Sequence, residues 1–172
     1  PTFGSWGVGS PAHINDLVIA DYFGVRATHV PYKDYGQWFI DTANQQVTTG
    51  FATMASAGKM EKGGKLKFLA ITGDRRDFAY PDVPTVKELT GKNTKTLASF
   101  VAVYSNKKTD PAIQKKLVKD FEEVVNSNNI KVALLAVDYR PLPITVEEFK
   151  SYSNEQYNLY NKLIKQYNIS IN

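Results

Sequence analysis

The stretch "GSWGVGSPAHI", residues 4 to 14, gathers three glycines and two serines directly before a proline and a helical apolar pattern. Glycine lets backbone N–H groups approach a ligand closely, and the start of the following helix adds partial positive charge. With the hydroxyls of Ser5 and Ser10 added, the stretch reads as an anion cradle. The plainer reading is a capped turn between a strand and a helix, and both stay open at this stage. The glycines are spaced G-x-x-G-x-G, which is not the dinucleotide fingerprint G-x-G-x-x-G, and no Lys-Ser/Thr pair closes the loop as in a P-loop. A nucleotide is therefore poorly supported.

Other chemistry is thinly provided. The chain has no cysteine, which removes disulfides, thiolate zinc sites and cysteine nucleophiles together. Two isolated histidines, His13 and His29, make a poor metal site and read better as packed or hydrogen-bonding residues. Ser10, His13 and Asp16 are spaced i, i+3 and i+6, which does not build a relay, and no G-x-S-x-G elbow is present. "VPYKDYGQW" places Pro31, Tyr32 and Lys33 just past a predicted strand, at the end where α/β sheets bind ligands. Trp38 and Phe39 on the next helix read as core. The Arg75–Arg76 pair in "DRRDFAYPDVPTVKEL" reads as surface ion pairing of small energetic worth.

The elements that must position these residues follow from periodicity. Ile14, Leu17, Val18 and Tyr22 recur at helical spacing, with Ser10 as cap, Pro11 in the first turn and Gly24 at the end. Strands are expected in "VRATHV", "VTTGFAT", "LKFLAIT", "LASFVAVYS" and around "DYRPL", and helices in "YGQWFIDTANQ" and "MASAGKMEKGG". Thr85 with Glu88, and Thr145 with Glu148, form capping boxes. A long helix starts at Asp110–Pro111, its inner face Ile113, Leu117, Phe121 and Val124, and "IKVALLAV" follows as a helix. The last helix carries the stripe Phe149, Tyr152, Tyr160, Leu163 and Ile164. Strand–helix alternation predicts an α/β protein with parallel strands and helices on both faces.

At 172 residues the chain can bury a sizeable core in one or two domains. Its net charge of +4 comes from dispersed lysines rather than a cluster, so no nucleic-acid partner is expected. The longest apolar run, "VALLAV", is far too short to span a membrane. The chain begins at Pro1 inside a predicted strand and reads as a piece of a longer protein, with no signal peptide in it.

"GSWGVGSPAHI", "THVPYKDYG", "GKLKFLAIT", "DRRDFAYPDVPTVKEL" and the tail "ITVEEFKSYSNEQYNLYNKLIKQYNI", in this order, resemble the tripartite tricarboxylate transporter receptors, or Bug family, of extracytoplasmic solute-binding proteins. The resemblance covers nearly the whole chain. It departs from the family pattern at Asp34, where the family has glycine after "VPYK", and at Thr48, where the family has an acidic residue. It implies a periplasmic-binding-protein-like (type II) two-lobe α/β fold, here one nearly complete lobe and part of the other. Residues 1–96 would form the second ligand-binding lobe and residues 97–172 the return to the first, with a crossing near Thr96–Ser99.

The implied function is capture of a small organic acid, of the di- or tricarboxylate class, in an interlobe cleft. Delivery to the membrane subunits of a tripartite tricarboxylate-type transporter would follow, without enzymatic activity and without a cofactor or metal. The implied location is periplasmic or otherwise extracytoplasmic, with lipid anchoring as an option. Ser5, Trp6, Gly7, Gly9 and Ser10 are the expected anion contacts, and Tyr32 and Thr53 are expected to line the cleft. The alternatives are a ligand-sensing receptor for a signalling partner and, less well supported, an α/β enzyme acting on a phosphorylated or carboxylated small molecule.

Overall fold

Strand β1 (Thr2–Ser5) lies at the centre of a parallel sheet in the computed structural model, which describes every residue except Lys95, Thr96, Ala98, Ser99, Pro143, Ile171 and Asn172. It is flanked by β2 (Thr28–Pro31) and β3 (Thr49–Gly50) in the order β2–β1–β3. Phe3 sits opposite His29 on one side and Thr49 on the other. Beside the ladder, the backbone N–H of Thr2 donates to Thr48 Oγ1 at 3.2 Å and that of Thr48 to Thr2 Oγ1 at 3.1 Å.

Each strand feeds a helix: α1 (Pro11–Tyr22), α2 (Tyr35–Ala43) and α3 (Met54–Lys62). Successive strand residues face opposite sides, and β1 uses both. Phe3 stacks on His13 of α1, with ring centroids 5.9 Å apart. On the other face, a Cβ at Gly4 would lie 2.1 Å from Trp38 Nε1 of α2, and one at Gly50 would lie 2.2 Å from Trp38 Cζ2. The Trp38 indole thus rests directly on the strand backbone, where only glycine leaves room. Helices cover both faces, as the alternation predicts.

Two apolar clusters follow from this layering. Ile14 and Val18 of α1 pack with Leu97 and with Leu163 of α7 (Val146–Gln166). Trp38, Phe39 and Ala57 form the other, edged by Trp6, Tyr32, Ala52, Met60, Leu66 and Phe68. The chain divides into two compact units, Pro1–Ser99 with Lys150–Asn172, and Phe100–Phe149. The expected crossing at 96–99 falls largely on Thr96, Ala98 and Ser99, which lie outside the described residues. Within the first unit, α7 is tied to α1 by hydrogen bonds as well as packing. The Tyr160 hydroxyl donates to Asn15 Oδ1 at 3.2 Å, Asn15 Nδ2 donates to the Leu97 carbonyl at 3.0 Å, and the Tyr167 hydroxyl donates to Asp21.

Several expected strands are shorter or absent. "VTTGFAT" pairs only at Thr49–Gly50. "LKFLAIT" contributes a single parallel bridge, Ile71 to Thr85, and Leu69 is left 65% exposed. Phe100–Ser105 and the described residues of "DYRPL" form no strand. β-branched and aromatic residues favour extended backbone, but a strand extends only where a neighbour completes its hydrogen bonds, and among the described residues these segments find one only at Thr49–Gly50 and at Ile71.

The helix assignments hold. Helix α4 (Val86–Thr90) starts from the Thr85–Glu88 capping box, and Arg76 Nε donates to both Glu88 carboxylate oxygens at 3.1 Å. The Thr145–Glu148 box opens α7. In the second unit, α5 (Pro111–Asn126) is capped by Asp110 and followed by α6 (Asn128–Ala136). The face of α5 read as inner is exposed, Ile113 at 54% and Phe121 at 44%. Among the described residues no helix is long and apolar enough to cross a membrane.

Candidate functional site

All three strands run parallel, so the starts of α1, α2 and α3 gather at the carboxyl edge of the sheet. Each start is capped by its own side chain. Ser10 Oγ accepts the His13 N–H at 3.3 Å, Asp34 Oδ1 accepts that of Gln37 at 2.8 Å, and Thr53 Oγ1 accepts that of Ser56 at 3.2 Å. This is the edge at which open α/β sheets bind ligands. Asp34, where the resemblance leads one to expect glycine, serves locally as the cap of α2.

The loop from Ser5 to Ser10 is held from beneath. Ser5 is fully buried, and its Oγ lies 2.7 Å from His29 Nε2 and 3.0 Å from the Gly7 carbonyl; its single proton goes to one of the two. Ser5 Oγ also accepts the Gly7 N–H and the Ser10 hydroxyl, each at 3.3 Å. The Gly9 N–H donates to His13 Nδ1 at 3.1 Å. Gly7 has φ +122° and Gly9 φ +75°, conformations that glycine adopts without strain. Nothing lies within 4 Å of where a Cβ on Gly7 would point. Among the described residues, the N–H groups of Trp6 and Val8 find no acceptor.

The expected site residues thus divide by geometry. Ser5, Gly9 and Ser10 spend their donors on the loop itself and fix its shape. Gly7 leaves open space where a side chain would stand, and Trp6 is half-buried with its ring stacked on Tyr35, centroids 4.9 Å apart. Tyr32, past the end of β2, donates its hydroxyl to Asp41 Oδ2 at 2.9 Å and packs against the Trp38 cluster. Thr53 is half-buried at the start of α3.

The support beneath the loop contains two features that the sequence reading did not join. The His13 and His29 rings stack with centroids 3.8 Å apart and planes 12° from parallel, and Phe3 stacks on both. Burial lowers the His13 pKa; burial and the neighbouring His13 push that of His29 down to about 4. Both rings are neutral at neutral pH. Each histidine does hydrogen-bond, as expected of it singly; the pairing was hidden because it needs the parallel register that sets Phe3 beside His29. Asp16, 8% exposed, accepts the Phe51 N–H at 3.0 Å and so ties α1 to the segment entering α3. Burial raises its pKa to about 8, partly opposed by that hydrogen bond. A carboxylate inside the apolar pattern of α1 was the available signal.

A glycine loop and three capped helix starts thus share the carboxyl edge of one parallel sheet, the edge of an α/β protein at which ligands bind. The chain belongs to the tripartite tricarboxylate transporter family of receptors, whose profile matches residues 1–169. It is 30% identical over 154 residues to the UPF0065 protein in the gbd 5' region of Cupriavidus necator, covering 90% of this chain and 46% of that one. It is 27% identical over 145 residues to the protein BugT of Bordetella pertussis, covering 84% and 44%. The chain spans about half the length of these curated relatives. Among solved structures, an R. palustris protein with adipate superposes with a TM-score of 0.86 at 22% identity, over 98% of this chain and 56% of that one. A Rhodopseudomonas palustris protein with bound malate gives 0.70 at 19%, over 95% and 56%. A structure described as a periplasmic transporter gives 0.83 at 25%, over 99% and 57%.

Proposed function

We propose that this chain forms part of a periplasmic receptor that binds a small organic acid, of the di- or tricarboxylate class, and hands it to the membrane subunits of a tripartite tricarboxylate-type transporter. The carrying observation is the loop at residues 5–10. Its own serines and His13 hold it in shape, while the N–H groups of Trp6 and Val8 are left to a ligand and the space beside Gly7 Cα is open. Backbone N–H groups at a helix start stabilise a carboxylate without a cationic side chain. A carrier that must release its cargo is better served by such neutral donors than by a buried ion pair. Family membership supports the same class, and proteins of the same fold hold adipate and malate.

In this reading Ser5, Gly9 and Ser10 shape the cradle, Trp6 and Gly7 meet the ligand, and Tyr32 and Thr53 line the neighbouring strand ends. Catalysis has no part in it: the two histidines lie beneath the loop, engaged with Ser5 and Gly9. Calorimetric titration of the full receptor chain with succinate, malate, adipate and citrate tests the proposal. Saturable binding of at least one acid is expected, and a panel without heat or thermal stabilisation overturns it.

A further inference from the structure

Trp6 and Tyr35 reach the same sheet edge from two different elements, the loop after β1 and the first turn of α2. Their rings stack at 4.9 Å with planes 23° apart, and the neighbouring Gly7 leaves open space where a side chain would stand. Trp38 and Phe39 back this pair from the core: Trp38 is tilted against both rings at 6.1 and 6.2 Å, and Phe39 lies 6.2 Å from Tyr35. The pair is therefore rigid, yet Tyr35 remains 43% exposed. An exposed, core-backed aromatic pair is a poor surface for water and a good one for a flat apolar partner.

The charges around the pair point the same way. Residues 4–14 carry no lysine or arginine. The fixed charge next to Tyr35 is Asp34, held as the cap of α2, with Asp41 further along the helix accepting from Tyr32 and Gln37. Lys33 is the nearby cation, and its side chain is exposed. A second carboxylate lying directly over the aromatic pair would meet Asp34, whereas a ring there meets a matching surface and leaves any further carboxylate of a di- or tricarboxylic acid to reach beyond the pair.

Resting on the proposed carboxylate site, we infer that the Trp6–Tyr35 pair is a specificity surface, and that the preferred ligand is a carboxylate with a planar aromatic body. The carboxylate occupies the loop at Gly7 and the ring stacks on the aromatic pair.

The test uses the full receptor chain with benzoate, cyclohexanecarboxylate and succinate, read by calorimetry and by tryptophan fluorescence. Benzoate and cyclohexanecarboxylate share charge and approximate size but differ in the π-face. The expected result is benzoate binding roughly three- to ten-fold tighter than cyclohexanecarboxylate, the range that aromatic stacking supplies, with a change in tryptophan emission that Trp6→Leu removes. Tyr35→Ala, at an exposed position, and Trp6→Leu should each bring that ratio toward one. Equal affinity for the two ring acids, or a ratio unmoved by both substitutions, overturns the stacking inference and leaves the carboxylate site standing. Failure of every acid tested here and in the dicarboxylate panel removes the site and the inference with it.

Discussion

His13 and His29, from α1 and β2, lie face to face with ring centroids 3.8 Å apart, and each holds one end of the loop of residues 5–10, at Gly9 and at Ser5. Two imidazoles at this spacing cannot both carry a proton without repulsion. The loop is therefore supported by a pair that works only when neutral.

Acid should loosen this support. Both folded pKa values lie below the ordinary 6.5, with His29 at about 4, so between those values the unfolded chain binds protons that the folded one refuses. The pair's contribution is complete above about pH 6.5 and is lost as pH falls toward 4. His29→Gln, which can still bond Ser5, should flatten that part of the stability profile in thermal melts. An unchanged acid limb would rule the pair out as its source.

Asp16 acts in the opposite direction. Its folded pKa of about 8 lies above the ordinary 3.8, so the folded state keeps a proton that the unfolded chain releases. Stability falls as pH rises through that window, at up to about 1.4 kcal/mol per unit. Asp16→Asn keeps an acceptor for the Phe51 N–H and removes the titration. Urea melts should show the variant more stable at pH 8, with the gain shrinking toward pH 4; parallel profiles would contradict the assignment.

Gly4 and Gly50 have no room for a methyl group under the Trp38 indole. Gly4→Ala should cost about 1–3 kcal/mol, the usual range for overpacking. Adding Trp38→Leu to Gly4→Ala should cost less than Trp38→Leu alone implies, because the clash is gone. Denaturant midpoints of the two single variants and the double variant measure this coupling, and strict additivity would count against it.

At Gly7 the space is open but the backbone, at φ +122°, is not one a side chain tolerates. Gly7→Ala should lose about 1 kcal/mol of stability and weaken acid binding roughly ten-fold by turning the Trp6 and Val8 N–H groups. Calorimetry on the variant checks it; unaltered affinity would remove Gly7 from the site.

The elements legible in the sequence are those whose signals are local. Ser10, Pro11, Thr85 with Glu88, and Thr145 with Glu148 mark helix starts by chemistry that acts within one turn, and each lies where expected. "LKFLAIT" and Phe100–Ser105 misled because a strand is defined by its neighbours, and the pattern alone does not supply them. The loop at 4–14 was visible as glycine and serine spacing. Its division into shaping residues and open backbone was not, since that depends on His29 arriving from another strand and on which hydroxyls are already engaged. Asp16 and the Trp6–Tyr35 stack were obscured for the same reason.

The tie between α1 and α7 has a temporal side. Tyr160 meets Asn15 across 145 positions of sequence, and Leu163 closes the apolar cluster that Ile14 and Val18 begin. During synthesis α1 leaves the ribosome 145 residues ahead of the Tyr160 that bonds it, and its apolar face stays uncovered while that stretch follows. Loop closure over such a separation is slow. The unit built around β1 is thus completed only once α7 has followed, and a chaperone that shields α1 in the interval would be protecting the loop of residues 5–10.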